Sequence, residues 1–194
     1  MEFNFFTLVF LFAILTSVLA LLWLNFRQDK AIDNSFDSVP DGFSETIKLE
    51  DHQKAGRYTK AKLLLNHFEI IFSTIVLLVW TLGGAMNWID GYWSQKIDDP
   101  VLMGTFFVLS IMLIASFIDL PFSIYRNFVL EHKFGFNRMT AGTFAADLIK
   151  EVILSLILVL PLIYAILYLM NIESIGNYWW VYVWAIISLF SLIM

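Results

Sequence analysis

Five apolar runs decide what this chain can become. They cover about Phe3–Leu24, Phe68–Trp88, Val101–Ile118, Val152–Met170 and Tyr178–Met194. A bilayer's hydrocarbon core is about 30 Å thick and takes about 20 apolar residues to cross as helix. Lipid offers no partner for free backbone N–H and C=O groups, so each run must be helix rather than open strand. The runs are continuously apolar rather than alternating, which argues against a barrel. Composition agrees: 59% of the residues are hydrophobic and 15% charged, against about 25% charged in soluble domains. The expected fold class is all-α, a polytopic membrane protein of about five transmembrane helices forming one domain over residues 1–194. Its first connector is expected to be cytoplasmic and partly helical.

The amino-terminal run reads as an uncleaved anchor. A signal peptide wants a basic start and a small-residue cleavage site, whereas Glu2 is the first charge and Ser17-Val18-Leu19-Ala20 is a weak cleavage match. The first connector, Asn25 to Lys62, is the only long polar segment. Its first half, DKAIDNSFDSVPDGFSE, holds Pro40 and Gly42 and predicts an irregular surface loop. Its second half predicts a helix over Leu49–Leu65 that runs into the second span, with Ser44 or Thr46 as cap. Gly56 costs that helix about 1 kcal/mol relative to Ala. Gly83-Gly84 in the second span would permit close helix approach, and Pro161 should kink the fourth.

Charge sets the expected orientation. The first connector carries Arg27, Lys30, Lys48, Lys54, Arg57, Lys60 and Lys62, and the segment after span three carries Arg126, Lys133, Arg138 and Lys150. The second connector has Lys96 alone and the fourth has none. The positive-inside rule therefore places the amino terminus outside and the first and third connectors in the cytoplasm. Trp88, Tyr92 and Trp93, and then Tyr178, Trp179 and Trp180, suit the headgroup level on the opposite side. A net charge of −5 gives no electrostatic case for nucleic acid. The absence of cysteine excludes disulfides and thiolate metal sites.

The third connector is the most distinctive stretch. Asp119 to Phe144 reads DLPFSIYRNFVLEHKFGFNRMTAGTF, with Pro121 and Gly135 as breakers and Tyr125, Phe128, Phe134 and Phe136 among Arg126, Glu131, His132, Lys133 and Arg138. Physically it predicts an interfacial loop or broken helix. Asp119, Glu69, His67, Asp147, Lys150 and Glu151 lie at span ends, where pairing is cheap.

The run LPFSIYRNFVLEHKFGFNRMT also resembles the segment before the fourth membrane helix of type-1 CAAX prenyl proteases. LEDHQKAGRYTKAK, Leu49 to Lys62, resembles that family's segment before the second membrane helix. The match departs from the family pattern at His132, at Phe134 and at Gly56-Arg57. The resemblance implies the amino-terminal membrane domain of a polytopic zinc metallopeptidase, which hydrolyses a peptide bond near a C-terminal prenylated cysteine or cuts other membrane-associated proteins. It implies a membrane chamber facing the peptidase site, with Tyr125, Phe128, Glu131, Lys133, Gly135, Phe136, Asn137 and Thr140 as residues that touch substrate or shape the loop. The implied partners are the lipid bilayer, a C-terminal catalytic domain and a peptide or prenylated peptide substrate.

A helical zinc peptidase uses HExxH, two His one turn apart with a Glu general base. This sequence has no HExxH; its nearest approach is Glu131-His132, and His52, His67 and His132 are far apart. No catalytic or metal-ligating residue is expected here, and this chain alone should be inactive. By resemblance, zinc belongs to a cytosolic part after the fifth span, so a fragment or split product is expected. The rival reading is a non-catalytic transporter or scaffold module, although no paired broken helices mark a transporter site.

Overall fold

The computed structural model describes residues 4–193. It is helical, and its helices are named here in chain order. They are α1 (Phe5–Asn34), α2 (Leu49–Thr81), α3 (Ala85–Ser94), α4 (Pro100–Phe134), α5 (Ala141–Asn171) and α6 (Trp179–Ile193). α1, α2, α4 and α5 are each long and apolar enough to cross a membrane. Few side chains are buried within the protein. Among the described residues Leu63, Leu65, Ile89, Val101 and Leu130 are the buried hydrophobics, whereas Phe5 is 83% exposed and Phe117 76%. A water-soluble body does not leave so much large apolar surface uncovered, so the outer faces are built for lipid.

The chain divides into two compact units: Met1–Ala85 with Pro121–Arg138, and Met86–Leu120 with Met139–Met194. In the first unit α1 packs along α2. Asn4 opens α1, its Oδ1 accepting from Thr7 N at 2.9 Å. The helix runs ten residues past Leu24, so Asp29 to Asn34 is helix rather than the expected loop. No Gly or Pro occurs before Pro40, so nothing stops the helix earlier. Irregular chain with one 3₁₀ turn at Asp41–Phe43 follows.

α2 begins at Leu49 as expected, but its N-cap is Lys48 and no side-chain cap bond forms. Ser44 and Thr46 lie too early, and Thr46 Oγ1 instead donates to Phe43 O. Glu50 and Asp51 in the first turn complement the helix dipole there. α2 ends at Thr81, so the expected second span, Phe68–Trp88, is not one helix. Gly84 takes φ +79°, a left-handed conformation that suits glycine, and the pair terminates the helix instead of seating a neighbour.

Within the second unit, α3 forms an aromatic cluster. The Trp93 ring stacks on Phe106 at 5.0 Å and its Nε1 donates to Ser110 Oγ at 2.9 Å. Tyr92 packs on Trp88 and Trp93, and Lys96 Nζ donates to its hydroxyl. Gly104 of α4 faces Leu167 of α5, which a Cβ would meet at 3.1 Å. Both long later helices contain a π-helical turn. In α5 it covers Ser155–Val159, and Pro161 follows in the first turn of the resumed α-helix, where its missing N–H costs least. α4 passes through Pro121 without stopping, regular to Ile124, then π-helical over Tyr125–Glu131. Thus Pro121 does not end the helix; Gly135, at φ +77°, does.

Candidate functional site

The site is built by the polar end of α2, the end of α4 and the adjoining part of α1. In α2, Tyr58 and Glu69 are eleven residues apart, about three turns, and so share a face. In α4, Arg126 and Glu131 are five apart. A regular α-helix would set them roughly 140° apart. The π-helical turn bonds i to i+5 and brings them onto one side. Two bridges result. Arg126 donates to Glu69 at 2.5 Å, and the Tyr58 hydroxyl donates to the Glu131 carboxylate.

Tyr58 is also the hub of an aromatic cluster. The rings of Phe134 and Phe136 pack edge-on to it, at 5.3 Å and 4.9 Å. Lys62 lies over Tyr58 and Lys54 over Phe136, each at 5.3 Å. The chain can fold back this way because Gly135 is left-handed, and the Glu131 carbonyl accepts from Phe136 N and Asn137 N. Tyr58 lies ahead of the apolar stretch that begins at Phe68. Its pKa is raised, first by the hydrogen bond to Glu131 and then by burial. Lys60, on the same polar part of α2, is held above its ordinary value by its hydrogen bond to Asp33, 2.6 Å away, with Asp29 at 3.4 Å.

Two hollows flank Leu65. One is an apolar groove of about 560 Å³, whose walls include Leu64, Phe68, Phe72, Phe122 and Tyr125. The Phe72 and Phe122 rings meet at 5.1 Å. The other is a polar cavity of about 320 Å³, walled by Asn25 and Gln28 of α1, by Tyr58, Lys62, Asn66 and Glu69 of α2, and by Arg126. Asn25 Nδ2 donates to Asn66 Oδ1 at 2.9 Å.

The eight residues singled out from sequence separate by role. Tyr125 lines the apolar groove. Glu131, Gly135, Phe136 and Asn137 build the folded-back turn, Phe128 is half-buried, and Lys133 lies over Phe134. Thr140 belongs to the second unit, where it caps α5 in a reciprocal pair with Thr143. Sequence reasoning missed Tyr58, Phe72 and Asn66 as wall residues. Tyr58 stood inside a quoted motif, and the helical spacing of Tyr58, Lys62, Leu65 and Glu69 was the available signal. Among the described residues no group of three or more His, Cys, Asp or Glu could hold a metal ion. The His52 ring meets the Ser35 carbonyl and the His67 ring that of Leu63.

The family model described as CAAX prenyl protease N-terminal, five membrane helices, matches residues 28–194. The chain is 30% identical to a CAAX prenyl protease 1 homolog of Caenorhabditis elegans, over 89% of this chain and 37% of the relative. It is 31% identical to one of Dictyostelium discoideum, over 88% of this chain and 41% of the relative. The crystal structure of S. mikatae Ste24p superposes with a TM-score of 0.81 at 22% identity, over 93% of this chain and 42% of that one, which is a likeness of fold. The chain thus spans about two fifths of the length of the curated relatives it matches.

Proposed function

Since this chain belongs to the CAAX prenyl protease N-terminal family of five membrane helices, we propose that it is the membrane domain of a zinc metalloendopeptidase. Its substrates are membrane-associated peptides, with the prenylated C-terminal peptide the principal class. The observation that carries this reading is the apolar groove of about 560 Å³ beside Leu65, whose walls include Phe68, Phe72, Phe122 and Tyr125. An isoprenoid chain fits it. The two motifs that carry the family resemblance, Leu49–Lys62 and Leu120–Thr140, meet through the Tyr58–Glu131 bond.

On this reading the amino terminus lies outside and the first and third connectors face the cytoplasm, where the zinc-bearing C-terminal domain works. On the same reading the zinc ligands lie in that C-terminal domain, and this chain contributes substrate binding.

The test is photoaffinity labelling of the chain in nanodiscs. A farnesylated peptide carries a diazirine on its isoprenoid. Labelling that falls on Phe68, Phe72, Phe122 or Tyr125 and is competed by unmodified farnesyl peptide supports the reading. Labelling scattered over lipid-facing residues and indifferent to competitor refutes it.

A further inference from the structure

The α1–α2 seam changes character along its length. At its polar end stands the cavity walled by Asn25, Gln28, Lys62, Asn66, Glu69 and Arg126. Further along the same two helices lies a second hollow of about 290 Å³. Its walls are Ile14, Val18 and Leu21 of α1 and Ile70, Thr74 and Leu77 of α2, with two serines. The hydrogen bond between Asn25 and Asn66 falls where one gives way to the other. The change coincides with the boundary in sequence. α1 is apolar up to Leu24 and charged from Arg27, while α2 is charged up to Lys62, mixed through Asn66, His67 and Glu69, and free of charge from Ile70. This is the level of lipid headgroups, and Arg27 over Trp23 and Lys30 over Phe26 mark it on α1.

The charged side chains on the polar cavity are two cations, Lys62 and Arg126, and one carboxylate, Glu69. Arg126 and Glu69 are paired with each other. The Tyr58 hydroxyl donates to Glu131, and Thr59 Oγ1 donates to Ala55 O. Glu131 does not line the cavity, and the Tyr58 hydroxyl occupies its carboxylate. Among the described residues the Lys62 ammonium has no ion pair, unlike Lys60 with its two aspartates. The Lys62 ammonium, which lies over the Tyr58 ring but has no carboxylate partner, leaves one uncompensated positive charge on a hollow of about ten waters' volume, and that charge calls for an anion. The apolar hollow below calls for a hydrocarbon chain.

We propose that the α1–α2 seam holds one anionic phospholipid, its phosphate in the polar cavity against Lys62 and one acyl chain along Val18 and Ile70. This site is separate from the groove at Phe72 and Phe122 and does not depend on the peptidase reading. Native mass spectrometry of the full chain in detergent tests it. The chain is titrated with dioleoylphosphatidylglycerol or dioleoylphosphatidylcholine. One phosphatidylglycerol should be retained about fivefold more tightly than phosphatidylcholine. Lys62→Gln should abolish that preference, and Lys96→Gln should leave it intact. Val18→Trp, which fills the lower hollow, should weaken retention of phosphatidylglycerol without touching Lys62. Equal retention of the two lipids by the unaltered chain would overturn the proposal. So would a preference that survives Lys62→Gln, or displacement of the lipid by an equimolar farnesylated peptide, which would give the seam to substrate.

Discussion

Tyr58 is the residue on which the site turns, because one hydroxyl and one ring tie α2 to the end of α4. Tyr58→Phe keeps the ring packing and removes the donor to Glu131. A hydrogen bond to a charged group is worth about 1.5–3 kcal/mol, so Tyr58→Phe should lower thermal stability in detergent by roughly that amount. The pH dependence has a definite sign. The folded-state pKa is raised, so the contribution is whole below about pH 10 and is lost as pH climbs through the raised value. The gap between the two proteins should therefore hold at neutral pH and close in strong alkali. Gly56 shows what helix propensity alone conceals. A Cβ there would meet the Phe36 ring at 3.2 Å and Ile32 at 3.3 Å, so the glycine admits the end of α1. Gly56→Leu should cost about 1–3 kcal/mol, measurable by the same thermal assay, despite its better propensity.

At the scale of the element, the π-helical turn makes the site. It acts as one extra residue in α4. Deleting Asn127 would leave Arg126 and Glu131 four apart on a regular helix, again on one face. That deletion should retain both bridges, whereas inserting an alanine after Asn127 should break the Tyr58 bond. The thermal cost of Tyr58→Phe, measured in each background, distinguishes the two: it should persist in the deletion and vanish in the insertion. The helices themselves were legible in sequence, because apolar runs of this length have one solution in lipid. Gly135 was legible as a stop, since little else tolerates its conformation. Pro121 and Gly83-Gly84 were misjudged for one reason: whether a helix bends, widens or ends at such a residue depends on neighbours the sequence does not display. Helix continuation through Asp29–Asn34 was hidden because polar composition resembles a loop until α2 is seen to supply Lys60 opposite its two aspartates. The seam cavity was illegible, as its walls come from residues about forty and sixty positions apart.

For the whole molecule, the absence of cysteine makes orientation directly measurable. Single cysteines at Ser38 in the first connector and at Asp98 in the second should behave oppositely. An impermeant maleimide should reach the Asp98→Cys protein in intact cells, and the Ser38→Cys protein only after permeabilisation. The reverse pattern would invert the proposed topology. Elemental analysis of the purified 194-residue chain should find well below one zinc per chain, and the chain should leave a farnesylated peptide uncut. Stoichiometric zinc together with cleavage would contradict the assignment of catalysis to a further part.

α2 has 33 residues, about 50 Å of helix, whereas the hydrocarbon layer takes about 30 Å. Some 20 Å therefore stands clear of the oil as a mast stepped in the bilayer. Lipid of a different thickness changes the lean of a spanning helix, and a mast amplifies lean into sideways travel. A ten-degree change would swing Leu49 by roughly 3–4 Å over that free length, so membrane thickness becomes a dial on where the chain's charged headland sits.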